Sequence, residues 1–184
     1  FSQRGVLNLA HNEHDIKEIK RRMSANRLNA IDSKWIDTQE IKRLVPIMNT
    51  ENLRYPVLGA SYQPRGGVAR HDAIAWGFAM RADELGVDII QNCEVKNILT
   101  NNGRVIGVET AKGTINAQKI GVVASGHTSV LAKTAGINLP LQSRPLQALV
   151  SEPIKPVINT VVMSNAVHAY VSQSDKGELV IGAG

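Results

Sequence analysis

The sequence is poor in aromatic residues and almost without cysteine. Two Trp, three Tyr and two Phe serve 184 residues, so the interior must be filled by Ile, Val, Leu, Met and Ala. Cys93 is the one cysteine, which excludes an internal disulfide framework and a thiolate metal cluster. A lone thiol suits a reducing compartment, and the expected location is cytoplasmic. No apolar run approaches the roughly 20 residues that cross a bilayer, and Phe1 to Asn8 carry no charged leader ahead of an apolar stretch. Neither a membrane span nor a secretory signal is predicted. Three motifs are also missing: Gly-x-Gly-x-x-Gly, a Gly-Lys-Ser/Thr phosphate loop and Gly-x-Ser-x-Gly. Their absence excludes a complete nucleotide-binding loop and a hydrolase elbow.

What is present describes a globular chain, with 43% hydrophobic and 20% charged residues. The net charge of +5 is concentrated in Lys17, Lys20, Arg21, Arg22 and Arg27, interleaved with Glu13, Asp15 and Glu18. Only Trp35 stands near as a stacking aromatic, so this reads as a mixed, solvated helix face, and no nucleic-acid partner is expected. His11 and His14 beside Glu13 and Asp15 read as a polar, capped helix start rather than a metal site. The chain opens on Phe1 and stops on the apolar run Leu179 to Gly184, which suggests an internal piece of a longer polypeptide.

Periodicity organises the chain into three textures. A strand over residues 4–10 precedes a helix over 12–29, and Asp37 caps a short helix that Pro46 stops. Residues 49–67 have no period and read as a long connection. From 66 to 136 the pattern is α/β. A helix from Ala73 to Leu85, capped by Asp72, is apolar on two sides and is expected to be buried, and strands follow over 87–90, 94–99, 104–110 and 114–124. The run Ile120 to Ala124 resembles a strand covered on both faces, and a helix over 129–134 follows the turn Ser125-Gly126-His127. After Pro140 the texture is β alone, over 145–151, 160–163 and the hairpin 168–174 with 178–181.

The densest unusual stretch is Gln63 to Asp72, where Arg70, His71 and Asp72 stand together as a helix begins. Unpaired N–H groups and the positive dipole end attract an anion there and leave a histidine free to act as a nucleophile. The alternative on composition alone is that His71 and Asp72 are caps and Arg70 a surface cation.

Arg65 to Ala79, Gly86 to Ile90, Ser143 to Pro153 and His168 to Gly177 together resemble the β subunits of heterotetrameric sarcosine oxidases, within the FAD-dependent amine oxidoreductases that include D-amino-acid oxidase and glycine oxidase. The resemblance covers nearly the whole chain. It implies α/β plus α+β structure: part of a Rossmann-like FAD-binding domain (66–140), with its dinucleotide fingerprint missing, interwoven with a β-rich substrate domain (1–65 with the connection, and 141–184). It further implies FAD held non-covalently, and FMN bonded covalently to His71 of the Ala-Arg-His-Asp motif, with Arg70 beside it. The backbone of Val95 would meet the adenine part of FAD, Gly126 would pack against the cofactor, and His168 and Tyr170 would line the flavin and substrate cavity. The reaction implied is oxidation of sarcosine to glycine with release of peroxide and a one-carbon unit, alongside a large α subunit and two small subunits. Two other readings stand beside it: a single-flavin oxidase or dehydrogenase of another secondary amine or amino acid, and a non-catalytic binding module. Without a pyrophosphate loop, residues 1–184 alone are expected not to bind FAD tightly.

Overall fold

The computed structural model describes residues 1–51 and 54–183. The expected connection over 49–67 includes residues 52 and 53, and the expected terminal run ends at residue 184, all outside the described residues. The elements in chain order are β1 (Ser2–Gln3), β2 (Val6–Ala10), α1 (Glu13–Leu28), β3 (Lys34–Ile36), α2 (Thr38–Leu44), β4 (Gly59–Gln63), β5 (Gly67–Val68) and α3 (His71–Glu84). They continue with β6 (Val95–Asn101), β7 (Arg104–Thr110), β8 (Gly113–Asn116), α4 (Thr128–Thr134), β9 (Gln147–Val150), β10 (Val161–Ser164), β11 (Ala169–Gln173) and β12 (Leu179–Ala183). The chain divides into two units, residues 1–75 with 146–184, and residues 76–145. No helix among the described residues is long and apolar enough to cross a membrane.

The first unit is built on a seven-stranded sheet of order β3-β4-β2-β10-β11-β12-β9. Every neighbouring pair is antiparallel except β2 with β10, which run parallel with Leu7 opposite Val162. Alternation along β2 sends Leu7 and Leu9 to one face, where they meet Ile36, Ile41, Val45, Val57 and Ala60. Leu7 and Ile41 are wholly buried, so α2 is held on this face by apolar contact. The opposite face receives α1, whose Ile19 and Met23 pack with Ala10. Both helices start where side-chain oxygens supply caps: Asn12 accepts from the Asp15 N–H and Asp37 from the Glu40 N–H.

Gln173 is the polar centre of this unit. It is 3% exposed, and its side-chain oxygen accepts from the N–H groups of Val157 and Ile158 at 2.8 and 3.1 Å. Its amide nitrogen donates to the carbonyls of Lys155 and Gly177 at 3.1 and 2.9 Å. The strandless segment over 154–158 therefore obtains from one side chain the hydrogen bonds that a neighbouring strand would have supplied.

The second unit carries a three-stranded meander, β6-β7-β8, and α4. The β6–β7 turn lies at Asn102 and Gly103, with φ of 49° and 73°, the paired left-handed conformation that Asn-Gly favours in tight hairpins. Thr134 ties α4 to the meander by accepting from the Ile98 N–H at 2.9 Å.

Several expectations are corrected. The helix after Asp72 is not buried: no residue of α3 is buried, and Trp76, Phe78, Met80 and Leu85 are 59%, 75%, 64% and 68% exposed. Residues 120–124 form no strand among the described residues, and Val123 is 96% exposed. Residues 87–90 likewise form none, and β8 ends at Asn116. Apolar periodicity reports the surface a segment is suited to bury, whereas a partner for it need not lie in the same stretch of chain. Conversely, the connection over 49–67 contains β4, which lies between β3 and β2. Gly59-Ala60-Ser61 offers too little β-branched or aromatic character to signal a strand, because small residues there make room for side chains of neighbouring strands.

Replacing Gln173 by Leu strands two N–H groups that have no other partner among the described residues. The substitution should lower stability by about 2 kcal/mol or more. Urea unfolding of the intact protein, with hydrogen exchange at Val157 and Ile158, checks both the loss and its location.

Candidate functional site

Register places one row of side chains across a face of the seven-stranded sheet: Trp35, Ser61, Asn8, Met163, Tyr170, Gly182 and Ala148. The next row on the same face includes Ser172, Val180 and Val150. α1 roofs the end of this face formed by β4, β2 and β10, leaving only a small space of about 160 Å³ under Arg22 and Met23. Over β11, β12 and β9 the face is open and holds two larger spaces.

One is a cleft of about 860 Å³, bordered by Arg70, His71 and Asp72 at the start of α3 and by Tyr170, Ser172, Val180 and Val150 of the sheet. Arg70 is an ion-pair centre: its guanidinium lies 2.8 Å from the Asp72 carboxylate and 3.7 Å from that of Asp175 in the β11–β12 turn. Asp72 also accepts from the Ala73 N–H at 2.8 Å. The Arg70 hydrogen bond, followed by that of the Ala73 N–H, holds the Asp72 carboxyl well below its ordinary value, at about 2. The expected cap is thereby refined. The helix begins at His71, the Arg70 carbonyl accepts from the Ile74 N–H, and Asp72 serves from inside the first turn.

The other space, about 280 Å³, is lined by His168, Tyr170, Met163, Asn165, Leu146 and Ala148, among others. The expected hairpin strand from residue 168 begins one residue later, at Ala169, so His168 lies outside it. It ends the turn before β11 with φ of 48°, and its N–H donates to the Asn165 carbonyl at 3.3 Å. With its amide oxygen turned toward α1, Asn165 accepts from both terminal nitrogens of Arg22 at 2.9 and 3.1 Å. Arg22, which looked like one of several solvated cations, thus anchors the turn that carries His168.

Arg70, His71, His168 and Tyr170 are therefore gathered on one unit, with Tyr170 bordering both spaces. Val95 and Gly126 belong to the other unit. Val95 opens β6 opposite Thr110 and is half-buried. Gly126 lies in the short helical turn before α4, and its carbonyl accepts from the Ser143 hydroxyl at 2.6 Å. Ser172, Asp175 and Gly182 were not singled out from the sequence. Period-two spacing from Tyr170 could have found Ser172, whereas Asp175 looked like a turn residue and Gly182 like part of an apolar strand. His11, by contrast, is structural: its ring contacts the Ser164 hydroxyl at 2.7 Å and the Pro56 carbonyl at 3.1 Å. Among the described residues no three His, Cys, Asp or Glu side chains stand where they could hold a metal ion.

Asp72 gives this corner a pH signature. Its carboxyl is depressed in the folded state, so its contribution to stability is full above its ordinary value of 3.8 and is lost as pH falls through about 2. Asp72→Asn should be less stable than the parent near neutrality, and the difference should close toward pH 2. Both partners are about half exposed, so added salt should shrink the difference. Thermal unfolding across pH and ionic strength measures it.

The family described as DAO, FAD dependent oxidoreductase, matches residues 1–184. The chain is 57% identical to the sarcosine oxidase subunit beta of an Arthrobacter species, over all of this chain and 46% of that protein. It is 54% identical to the sarcosine oxidase subunit beta of Rhodobacter capsulatus, over all of this chain and 44% of that protein. Among solved structures, L-proline dehydrogenase from P. horikoshii superposes with a TM-score of 0.85 at 28% identity, over 99% of this chain and 49% of its own. This chain thus spans about half the length of the proteins it matches. With a family match that runs from its first residue to its last, the chain belongs to the DAO family of FAD dependent oxidoreductases.

Proposed function

We propose that this chain is the cleft-bearing part of the β subunit of a flavin-dependent sarcosine oxidase, which oxidises sarcosine to glycine and releases peroxide and a one-carbon unit. The observation that carries this reading is the open half of the sheet face, where Arg70, His71 and Tyr170 border one cleft and Tyr170 and His168 a second. The high identity to two sarcosine oxidase β subunits supports sarcosine as the substrate. In this reading, residues 1–65 and 141–184 belong to the substrate domain and 66–140 to the FAD domain.

The residues present fit the ring end of a flavin. A cleft of about 860 Å³ with Val150, Val180 and Tyr170 on its sheet side suits a planar heteroaromatic ring, while Arg70 and Ser172 offer polar contacts at its edge. They do not supply a cradle for the pyrophosphate, for which the sequence contains no glycine-rich dinucleotide loop. Bound flavin would supply the two-electron acceptor for amine oxidation.

The chain's own groups then bind and orient. The space of about 280 Å³ suits a small amino acid, with the Tyr170 hydroxyl and the His168 ring as hydrogen-bonding partners and Met163 and Leu146 as apolar lining. Positioning at this scale accounts for much of the acceleration available to such a site. His71 would anchor FMN through a bond between a ring nitrogen and the 8α-methyl carbon, with Arg70 beside it. FAD would be held without a covalent bond, against the Val95 backbone and the Gly126 turn. The partners are a large α subunit and two small subunits, and the compartment is the cytoplasm. A second reading, a single-flavin dehydrogenase of another secondary amine, is favoured by the likeness to L-proline dehydrogenase and requires no bond at His71.

His71 is exposed, so His71→Ala should leave the fold intact. In the assembled enzyme it should abolish acid-stable yellow colour while leaving FAD extractable. Peptide mass mapping of the parent enzyme should find the flavin mass on the peptide containing His71. Colour released entirely by acid from the parent enzyme would favour the single-flavin reading, and failure of the assembled enzyme to consume oxygen with sarcosine would overturn the substrate assignment.

A further inference from the structure

Tyr170 occupies a peculiar position. It is the one residue of the row Met163, Tyr170, Gly182 and Ala148 that borders both the cleft beside His71 and the smaller space beside His168. Its side chain is the wall between them. A residue in the middle of a sheet face ordinarily projects outward, and an upright tyrosine would fill the space above β11. Tyr170 lies over instead, toward β12. A carbon added to Gly182 would coincide with the ring edge of Tyr170 and come within 2.6 Å of its hydroxyl oxygen. Only hydrogen at position 182 leaves room for the reclined ring, and Ala148, opposite Gly182 on β9, keeps the floor beyond it low. On the other side Met163 of β10 stands opposite Tyr170. The hydroxyl of Tyr170 consequently lies over Gly182, and the residue remains 38% exposed.

We propose that Gly182 is a positioning residue: it sets the pitch of the Tyr170 ring and thereby the division between the cleft assigned to flavin and the pocket assigned to the amine. This deepens the functional reading and rests on it for the identity of the two occupants, whereas the steric relation between Gly182 and Tyr170 does not. Any side chain at 182 raises the ring and narrows the space beside His168. The consequence falls on substrate fit. A change of one methylene in a snug pocket alters discrimination by about 10–200-fold, and raising an aromatic wall is a change of at least that size.

The test uses the complete enzyme with 3-fluorotyrosine in place of tyrosine, the fluorine resonance of residue 170 being identified by its loss in Tyr170→Phe. Gly182→Ala should move that resonance. It should also raise KM for sarcosine about tenfold, with a smaller change in kcat, and raise KM for the bulkier N-ethylglycine further still. In a Tyr170→Ala background the substitution at 182 should change KM less than about twofold, because the clash has lost one of its partners. An unmoved resonance, or a KM effect that persists without the ring, overturns the proposal. If Gly182→Ala fails to accumulate, the double variant decides: accumulation of Tyr170→Ala/Gly182→Ala supports a clash with the ring, and its failure shows a backbone requirement of β12 instead. If the parent enzyme does not oxidise sarcosine, the functional reading falls, and the fluorine resonance still judges the pairing of Gly182 with Tyr170.

Discussion

The parallel pairing of β2 with β10 is the contact on which the first unit depends. It joins residues 6–9 to residues 161–164, the only parallel pair in a sheet otherwise built of antiparallel neighbours. Leu7 and Leu9, which anchor the core under α2, lie on β2, while β10 leads into the hairpin of β11 and β12. Flanking bonds reinforce the junction: the Val161 N–H donates to the Gly5 carbonyl at 3.1 Å, and Arg4 donates to the Gln173 carbonyl at 3.0 Å. Through this pairing β2 and β4, which precede α3 in the chain, share one sheet with β11. A cleft bordered by both His71 and Tyr170 is therefore a product of non-local topology, which carries a loop-closure cost that the buried core must offset.

The two faces of that sheet are treated differently. Under one face, α2 and the Gln173-bonded segment over 154–158 complete the burial. On the other, α1 covers only the end near β4, β2 and β10, and the remainder stays open. Arg22 of α1 reaches the edge of the open half and holds the Asn165 turn, so the roofing helix also shapes the pocket it does not cover. Charge is handled with similar economy. Arg70 is matched by Asp72 and Asp175, so the cleft near His71 presents a guanidinium already held in place by two carboxylates.

The second unit shows a different balance. Its meander satisfies its own hydrogen bonds through β6, β7 and β8, yet many apolar side chains of α3 and of the segments at 87–90 and 120–124 remain exposed. Scattered apolar exposure is normal, but a helix bearing an exposed Ile, Trp, Phe and Met has a composition adapted to burial. This chain spans about half the length of these two β subunits, each matched over all of this chain.

Local signals were legible wherever the physics is local. Asp37 announced a helix because capping is settled within four residues, and the Asn102-Gly103 pair suits a hairpin because few other pairs accept two left-handed conformations. Residue types at the start of α3 marked Arg70 and His71, and the resemblance to sarcosine oxidase β subunits named the family that the full-length match then showed. Tertiary structure decided what depends on distant partners. β4 carried no strand pattern because its small residues answer to neighbours across the sheet, and α3 carried a burial pattern for which the described residues offer no cover. Gln173, Arg22 and Gly182 acquire their roles solely from what lies opposite them: a strandless segment, a turn and a reclining ring. Periodicity records which surface a residue presents, and the fold alone determines what meets it.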